Sequence, residues 1–297
     1  PSGPKLGGAP FNFAYRANAL GDRSLMISRL GRDELGDRAA AQIAALGMDG
    51  RFIQRDDRHP TGTVQISFDQ HHNPDYFIVP DVAYDYIETD DDLLAFASQA
   101  DCICFGTLAQ RNAASRRTLR QVLDAADHAL KLLDINLRKN CFSLDTITSS
   151  LQWANILRLN DQEALPLSDL LALSEDSLVT FASRMIADWS LSHCLITLGE
   201  RGAFVASAAG EKVYLPGYKI ELADSCGSGD AFTAGFVHRF LRGASLAQCC
   251  ELGNALGAMV AAQPGATEPI SPEDVRHFLA RKHQRCFEPT LREFSSL

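Results

Sequence analysis

The segment LADSCGSGDAFTAGF, residues 222–236, combines a glycine-rich turn with the beginning of a helix. Gly227 and Gly229 have no Cβ, so the backbone amides around them can crowd together. Amides at the positive end of a helix dipole favour anions, and we expect the helix to begin near Gly229. Asp230 then lies in the first helical turn and faces the same space. This combination suits transfer of a phosphoryl group to a hydroxyl that loses its proton. An acidic residue that only complements the helix dipole is the other interpretation.

The composition disfavours several classes of protein. The chain has 297 residues, enough for one large α/β domain, and no apolar run of membrane-spanning length. Its net charge is −9 and its basic segments are short, so we expect neither nucleic acid nor an anionic membrane as a partner. The eight cysteines are scattered without a C-x-x-C pair. They favour buried, reduced thiols in a cytoplasmic protein over a zinc site.

From residue 91 onward, apolar strands alternate with amphipathic helices. We expect strands at 102–105, 131–135, 155–159 and 194–198, a hairpin at 203–215, and helices near 91–99, 112–129, 144–152, 175–190, 230–241, 245–262 and 272–283. This alternation predicts an α/β fold whose mostly parallel sheet is covered by helices on both faces. Ligands bind such sheets outside the carboxyl ends of the strands.

Residues 52–86 have a different pattern. Alternation at 63–68, a polar stretch at 69–74 and an apolar return at 76–79 predict a small antiparallel sheet that interrupts the α/β series as a lid. His71 and His72 lie on the predicted turn. Because no third metal ligand is near them in the sequence, we interpret them as solvent-facing.

Polar residues and glycines follow four consecutive predicted strands. They are Gly106, Thr107, Gln110 and Arg111; Asp134, Asn136 and Arg138; Asn160 and Glu163; and Thr197, Gly199 and Gly202. An amide and a carboxylate three positions apart, as in Asn160 and Glu163, can hold hydrated Mg²⁺ near phosphates. The guanidinium of Arg138 matches phosphate or carboxylate geometry. Each residue is also an ordinary turn residue, and it is their coincidence at one edge that indicates a site.

Five motifs, in order along the chain, resemble the ribokinase-like (PfkB) carbohydrate kinases, and among them the bacterial fructokinases. The motifs are GGAPFNFA at 7–14, DINLR at 134–138, NDQE at 160–163, TLGERG at 197–202 and DSCGSGD at 224–230. The segment FGTLAQR at 105–111 and the Ala9-Pro10 pair favour the fructokinases. The resemblance covers residues 1–297 as a single domain. It implies a ribokinase-like three-layer αβα fold with a small antiparallel β lid at about 52–86.

The resemblance also implies an ATP-dependent sugar kinase that phosphorylates a ketohexose, with fructose as the leading substrate. Asp230 would be the catalytic base, and the amides of Gly227, Ser228 and Gly229 would form the anion hole. The sugar would contact Gly7, Gly8, Asn12, Gly106, Arg111, Asn136 and Arg138. ATP and Mg²⁺ would be held by Asn160, Glu163, Thr197, Gly199, Gly202 and Asn254, with Glu163 reaching Mg²⁺ through water. Backbone groups near Asp224, Cys226 and Gly265 would bind a monovalent cation such as K⁺. The lid would meet its copy across a homodimer.

Two departures from the family pattern accompany this resemblance. The family has a strand before its Gly-Gly motif that ends in a sugar-binding aspartate; the sequence starts at Pro1, and we expect that strand to be missing from it. Ser225 and Ser228 stand where the family commonly has Thr and Ala, which leaves the amides available.

Other functions stay open at this point. Ribose, 2-keto-3-deoxygluconate and nucleosides are alternative substrates, and a non-catalytic sugar- or nucleotide-binding relative is an alternative class. A dinucleotide oxidoreductase is disfavoured because the Gly-Ser-Gly turn comes late and Phe occupies position 232. The P-loop lysine motif is absent from the sequence as well.

Overall fold

The computed structural model describes residues 5–68 and 74–296. Within that part of the chain, the helices are α1 Ala9–Ala19, α2 Glu34–Ala45, α3 Asp91–Ala97, α4 Ala113–Ala125, α5 Leu144–Trp153, α6 Asp161–Leu170, α7 Leu178–Trp189, α8 Ser228–Phe240, α9 Leu246–Ala261 and α10 Pro272–Ala280. The strands are β1 Ser28–Gly31, β2 Ile53–Asp56, β3 Val64–Phe68, β4 Pro74–Ile78, β5 Cys102–Phe105, β6 Leu130–Asp134, β7 Ile156–Asn160, β8 His193–Thr197, β9 Ala203–Ser207, β10 Lys212–Leu215, β11 Gly217–Tyr218 and β12 Arg285–Cys286.

A six-stranded sheet forms the centre of the molecule, in the order β10-β9-β8-β7-β6-β5. Strands β5 to β8 are parallel, and β9 and β10 return antiparallel at one edge. Alternate residues of the strands serve opposite faces: Leu133 and Leu157 pack in one core, and Leu132 and Ile156 in the other. Helices α5, α6 and α7 contribute to the first core, and α8 and α9 to the second. The three-layer αβα fold with a mostly parallel sheet is confirmed.

Three two-stranded sheets lie outside the central one: the parallel pair β1–β2 and the antiparallel pairs β3–β4 and β11–β12. Among the described residues of 52–86, the antiparallel pairing is that of β3 with β4, because β2 pairs in parallel with β1. The predicted turn with His71 and His72 lies outside the described residues. After β4, a short 3₁₀ helix at Ala83–Tyr86 precedes α3.

Helix α6 is an element that the sequence pattern does not reveal. It begins directly after β7, because the Asn160 side chain caps the helix N-terminus, and it contains Pro166. A proline inside a helix removes one backbone donor, so the segment has weak helical character in the sequence. The other elements of the α/β series match their predicted positions within a few residues.

All eight cysteines are free: four are buried, Cys102, Cys104 and Cys286 are partly buried, and the expectation of a buried thiol is wrong for Cys226. Cys226 is exposed because it lies on the turn before α8 rather than in a strand or helix. In the described ranges 5–68 and 74–296, no helix combines the length and the apolar character needed to cross a bilayer.

Candidate active site

The turn before α8 presents free amides at the helix N-terminus. Gly227 caps the helix with φ of 78°, a left-handed conformation that glycine adopts without strain. Within the described residues, the amides of Gly227 and Gly229 have no hydrogen-bond acceptor, whereas the amide of Ser228 donates to the carbonyl of Ser225 at 3.2 Å. The turn therefore offers donors to an anion, and two of the three amides expected to form the anion hole are unoccupied.

Asp230 lies in the first turn of α8 and is only 8 % exposed. Its Oδ2 accepts a hydrogen bond of 2.8 Å from Nδ2 of Asn12, on α1. Burial raises the pKa of Asp230 to about 6, helped by repulsion from the Asp134 carboxylate. The Asn12 hydrogen bond and the positive charges of Arg158 and Arg138 oppose that rise. A carboxyl group with a pKa near neutrality suits general-base catalysis.

A buried ion pair lies beneath the same turn. Arg158, near the end of β7, donates to Asp134, at the end of β6, over 2.9 Å. Its Nη2 also donates to Oγ1 of Thr197 at 3.0 Å. Arg158 is a residue that the sequence analysis missed, because an arginine within an apolar strand carries no motif.

The substrate-side candidates from β5 and β6 gather at one edge. Gly106 follows β5, and a Cβ there would lie 3.0 Å from the carbonyl oxygen of Asp134. Asn136 has φ of 41°, and its Oδ1 accepts a hydrogen bond of 3.1 Å from Arg138. Arg138 is exposed, and its charge acts on Asp230. These residues therefore share the space in front of α8.

The N-terminal glycines lie at the start of α1. Gly8 is the N-cap of α1 with φ of 116°, and both Gly7 and Gly8 are exposed or partly exposed with open space around them. Asn12 is buried one turn later, with its Oδ1 unpartnered within the described residues. The segment thus brings two accessible backbone positions and one buried amide next to Asp230.

Arg111 is fully engaged in contacts at the base of the lid. Its guanidinium forms two hydrogen bonds of 2.8 Å to the Asp85 carboxylate and one of 2.7 Å to the carbonyl of Val79. Tyr84 also contributes its hydroxyl to this group, at 3.2 Å. Arg111 therefore joins the segment after β5 to the segment after β4, and among the described residues none of its hydrogen bonds reaches Asp230.

The candidates for the nucleotide side meet around Leu215–Gly217. Gly202 has φ of 97°, and a Cβ there would collide with the carbonyl of Leu215. Asn254, on α9, donates to that carbonyl at 3.0 Å. Gly199 also has a positive φ of 59° and open space around it, whereas Thr197 is bound to Arg158. Gly202 and Asn254 thus fix the backbone path beside the carboxyl end of β8.

Asn160 and Glu163 form a capping box. Oδ1 of Asn160 accepts from the Glu163 amide at 2.9 Å, and Oε2 of Glu163 accepts from the Asn160 amide at 3.0 Å. Oε1 of Glu163 accepts from the Leu137 amide at 2.9 Å. Each carboxylate oxygen retains a lone pair, so the residue can accept a hydrogen bond from a water molecule on a magnesium ion.

The region expected to hold a monovalent cation lies before the turn of α8 and after α9. The amides of Ala223 and Asp224 donate to Ala261, which ties this region to the loop containing Gly265. The carboxylate of Asp224 accepts from the Cys226 amide at 2.9 Å. Within the described residues the carbonyls of Asp224, Cys226 and Gly265 accept no hydrogen bond, so they fit such a cation.

Arg16 is a second buried arginine that no sequence motif indicates. This arginine is 1 % exposed and donates to the carbonyl of Ala266 at 2.6 Å. Burial lowers its pKa. Ala266 lies against the turn, since a Cβ on Gly227 would be 3.1 Å from its Cα.

Comparison with known proteins identifies the family. Residues 4–274 match the pfkB family of carbohydrate kinases. A sugar kinase of Pyrococcus horikoshii is 26 % identical over 286 residues, covering 93 % of this chain and 87 % of its own. A fructokinase of Escherichia coli is 27 % identical over 246 residues, covering 79 % and 76 %.

Solved structures agree on the fold. The fructokinase of Xylella fastidiosa with bound ATP superposes with a TM-score of 0.80 at 19 % identity, covering 92 % of this chain and 90 % of its own. A nucleoside kinase of Burkholderia thailandensis in complex with inosine gives 0.73 at 22 % identity, covering 92 % and 86 %. With the family match spanning most of the sequence, the conclusion is that the chain belongs to the pfkB family of carbohydrate kinases.

Proposed function

We propose that this kinase transfers the γ-phosphoryl group of ATP to a hydroxyl of a ketohexose, with fructose as the substrate. The observation that carries the proposal is the buried carboxylate of Asp230 beside free amides at the N-terminus of α8. Fructose is favoured by the fructokinase-like segment at 105–111 and by the fructokinases among the relatives.

In the proposed reaction, Asp230 accepts the proton of the sugar hydroxyl through its carboxylate. The O–H bond breaks as the sugar oxygen bonds to the γ-phosphorus, and the bond from that phosphorus to the bridging oxygen breaks to release ADP. The amides of Gly227 and Gly229 stabilise the negative charge on the transferring group. The Ser228 amide adds to them once it releases its hydrogen bond to the Ser225 carbonyl. Because the pKa of Asp230 is about 6, the carboxylate is ready to accept a proton at neutral pH.

Positioning supplies the remainder of the proposed rate enhancement. Gly7, Gly8, Gly106 and Asn136 lie at the sugar side, where Arg138 adds a positive charge; Asn12 orients the base. Arg111 acts on the sugar through the lid that it anchors. Thr197, Gly199, Gly202 and Asn254 border the nucleotide. When bound, Mg²⁺ neutralises phosphate charge, and Asn160 and Glu163 are the residues proposed to hold it through water.

The lid also suggests the assembly. Val64 of β3 and Phe77 of β4 are 53 % and 56 % exposed, so this small sheet presents apolar side chains at the surface. We propose that this hairpin meets its copy in a homodimer. Light scattering of the protein and of a Phe77→Ser variant tests this: the parent is expected to be a dimer and the variant a weaker one, and a monomeric parent contradicts it. A cytoplasmic location, where ATP is available, is part of the same proposal.

A panel of acceptors tests the substrate. The protein is incubated with ATP, Mg²⁺ and either fructose, ribose, 2-keto-3-deoxygluconate or a nucleoside, and ADP formation is measured. Fructose is expected to give the highest kcat/KM. A higher kcat/KM with another acceptor would make that compound the substrate in place of a ketohexose. ATP binding without any acceptor-dependent ADP formation would point to a non-catalytic relative.

A further inference from the structure

The ion pair of Arg158 and Asp134 is placed against the backbone of the active-site turn. Arg158 is 4 % exposed and Asp134 is 6 % exposed. A Cβ added to Gly229 would collide with the Arg158 guanidinium and would lie 3.2 Å from its Cζ. A side chain at position 229 would therefore displace the guanidinium from its place beneath the start of the helix.

The hydrogen bonds of the guanidinium go to the sheet, whereas its contact with the turn is the close approach to Gly229. Nη1 donates to Asp134, Nη2 donates to Thr197, and Nε has no acceptor within the described residues. A buried pair of this kind is weak evidence for stability, because removing two charges from water costs about as much as their attraction returns. Its position beneath Gly229, between Asp134 and the first turn of α8, calls for another role.

We propose that Arg158 and Asp134 are positioning residues, such that Arg158 fixes the turn at Gly229 and the two opposite charges together set how readily Asp230 accepts a proton. This inference rests on the proposed function of Asp230 as the base. Arg158 lies outside the five family motifs, and Asp134 begins the motif DINLR without a catalytic or binding role implied for it. Each acts through the turn and through Asp230.

The charged and titratable groups that face Asp230 come from several elements. Asp134 of β6 raises the pKa of Asp230, whereas Arg158 of β7 and Arg138 of the following loop lower it. Two thiols also face it, Cys104 of β5 and Cys226 of the turn; their own pKa values are raised, so both stay neutral near pH 7. From α1, Asn12 contributes only its hydrogen bond. Asp134 and Arg158 are thus the opposing fixed charges on the sheet.

The two charges predict opposite effects on substitution. Asp134→Asn removes the negative charge and leaves the arginine, so the pKa of Asp230 should fall. Arg158→Met leaves two carboxylates facing each other, so the pKa of Asp230 should rise. A displacement of about one pH unit is expected in each case, the scale on which a nearby charge changes a carboxyl pKa. Arg158→Lys keeps the charge but loses the planar contacts, so it should lower kcat without this rise.

The test measures Asp230 in two ways. The acid limb of kcat/KM against pH is recorded for the parent and the three variants, and the Asp230 carboxyl carbon is followed by ¹³C NMR in the protein without substrate. Asp230→Asn identifies the NMR signal. Arg116→Met and Asp145→Asn serve as controls, since that pair is joined at 2.6 Å but lies at the surface.

The proposal is supported if Asp134→Asn and Arg158→Met displace the acid limb in opposite directions and displace the NMR titration in the same two directions. Displacements in the same direction, or an unchanged titration of Asp230 in variants that fold as the parent does, overturn it. If Arg158→Met does not fold, Asp134→Asn and Arg158→Lys still decide. The NMR titration does not require activity, so a failure of the kinase proposal is seen separately, as an absence of acceptor-dependent ADP formation in the parent.

Discussion

Asp230 combines two properties that a proton acceptor needs, a buried carboxylate and an oriented oxygen. Asp230→Asn keeps the hydrogen bond from Asn12, because an amide oxygen can replace Oδ2 as its acceptor. The variant should fold normally and bind ATP nearly as well as the parent, and its kcat should fall about 10²–10⁴-fold because the general base is lost. Steady-state kinetics and calorimetric titration with ATP measure the two quantities. Phosphorylation at the parent rate would show that another group accepts the proton.

The same carboxyl group makes stability depend on pH. Folding raises its pKa from 3.8 to about 6, so the folded protein holds a proton that the unfolded chain releases. The stability associated with this proton is fully present below the unfolded pKa and is lost as the pH rises through about 6. A shift of this size corresponds to about 3 kcal/mol.

Asp230→Asn removes this dependence, because an amide does not ionise. We expect the variant to be more stable than the parent at pH 8, by up to about 3 kcal/mol, and to approach the parent below pH ~4. Urea unfolding at both pH values measures the difference. If the two proteins differed in free energy of unfolding by the same amount at pH 8 and pH 4, Asp230 would ionise in the folded state without cost.

At the scale of single residues, the sequence analysis could identify Asp230 because its neighbours are informative. A helix start after two glycines places the side chain in a known direction, whatever the rest of the fold. Arg158 and Arg16 could not be found in this way. Their partners Asp134 and Ala266 are 24 and 250 positions away, and only tertiary structure brings them together.

Asn160 and Glu163 cap the N-terminus of helix α6, a structural role in addition to their proposed role in holding the metal. Glu163→Gln retains one acceptor oxygen and turns an NH₂ group toward the amide of Asn160 or Leu137. Leaving a buried donor unsatisfied costs about 1–3 kcal/mol, and unfolding in denaturant should show this loss. If Glu163 also holds Mg²⁺ through water, the Mg²⁺ concentration for half-maximal activity should rise.

A capping carboxylate far from the site separates these two effects. Asp274 of α10 accepts from the Ser271 amide at 2.9 Å at the surface. Asp274→Asn should lower stability slightly and leave the Mg²⁺ requirement unchanged. An unchanged requirement in Glu163→Gln as well would assign that carboxylate to capping alone.

Helices and strands with a strong apolar pattern in the sequence were predictable, whereas the pairing of strands distant in sequence was not. Strands β5 to β8 are apolar because both faces of the sheet are covered, and this pattern is visible in the sequence. The pairing of β2 with β1 depends on a distant strand, and α6 contains a proline that local propensity opposes. The edge where the site lies was predictable from topology, since parallel strands end together.

For the molecule as a whole, Arg111 links the lid to the central sheet. It follows β5 and binds Asp85 and Val79, which belong to the segment that leaves β4. The Asp85 side chain is 2 % exposed and also accepts from the Val82 amide at 3.1 Å. A movement of the lid would therefore either disturb the Arg111–Asp85 ion pair or bend the chain on the lid side of it.

Arg111→Met should destabilise the protein by about 3–5 kcal/mol, because it leaves the Asp85 carboxylate buried without a partner. Adding Asp85→Asn to the Arg111→Met variant should recover part of that loss. A neutral amide is less costly to bury than a carboxylate, and its oxygen can still accept from the Val82 amide. Arg120→Met is the matched control: its partner Asp124 is equally close, at 2.8 Å, but both are exposed, and a change within about 0.5 kcal/mol is expected. Equal stability of Arg111→Met and the control would contradict this account.

The same variants distinguish a lid anchor from a direct sugar contact. Asp85→Asn alone weakens the anchor while leaving the charge of Arg111 in place. If Arg111 acts through the lid, KM for the sugar should rise similarly in Asp85→Asn and Arg111→Met, and proteolysis between β3 and β4 should accelerate in both. If the guanidinium itself binds the sugar, KM should rise much more in Arg111→Met, because only that variant removes the binding group. The contacts with Asp85 and Val79 favour the first result, since they already occupy Nε and Nη2 of the guanidinium.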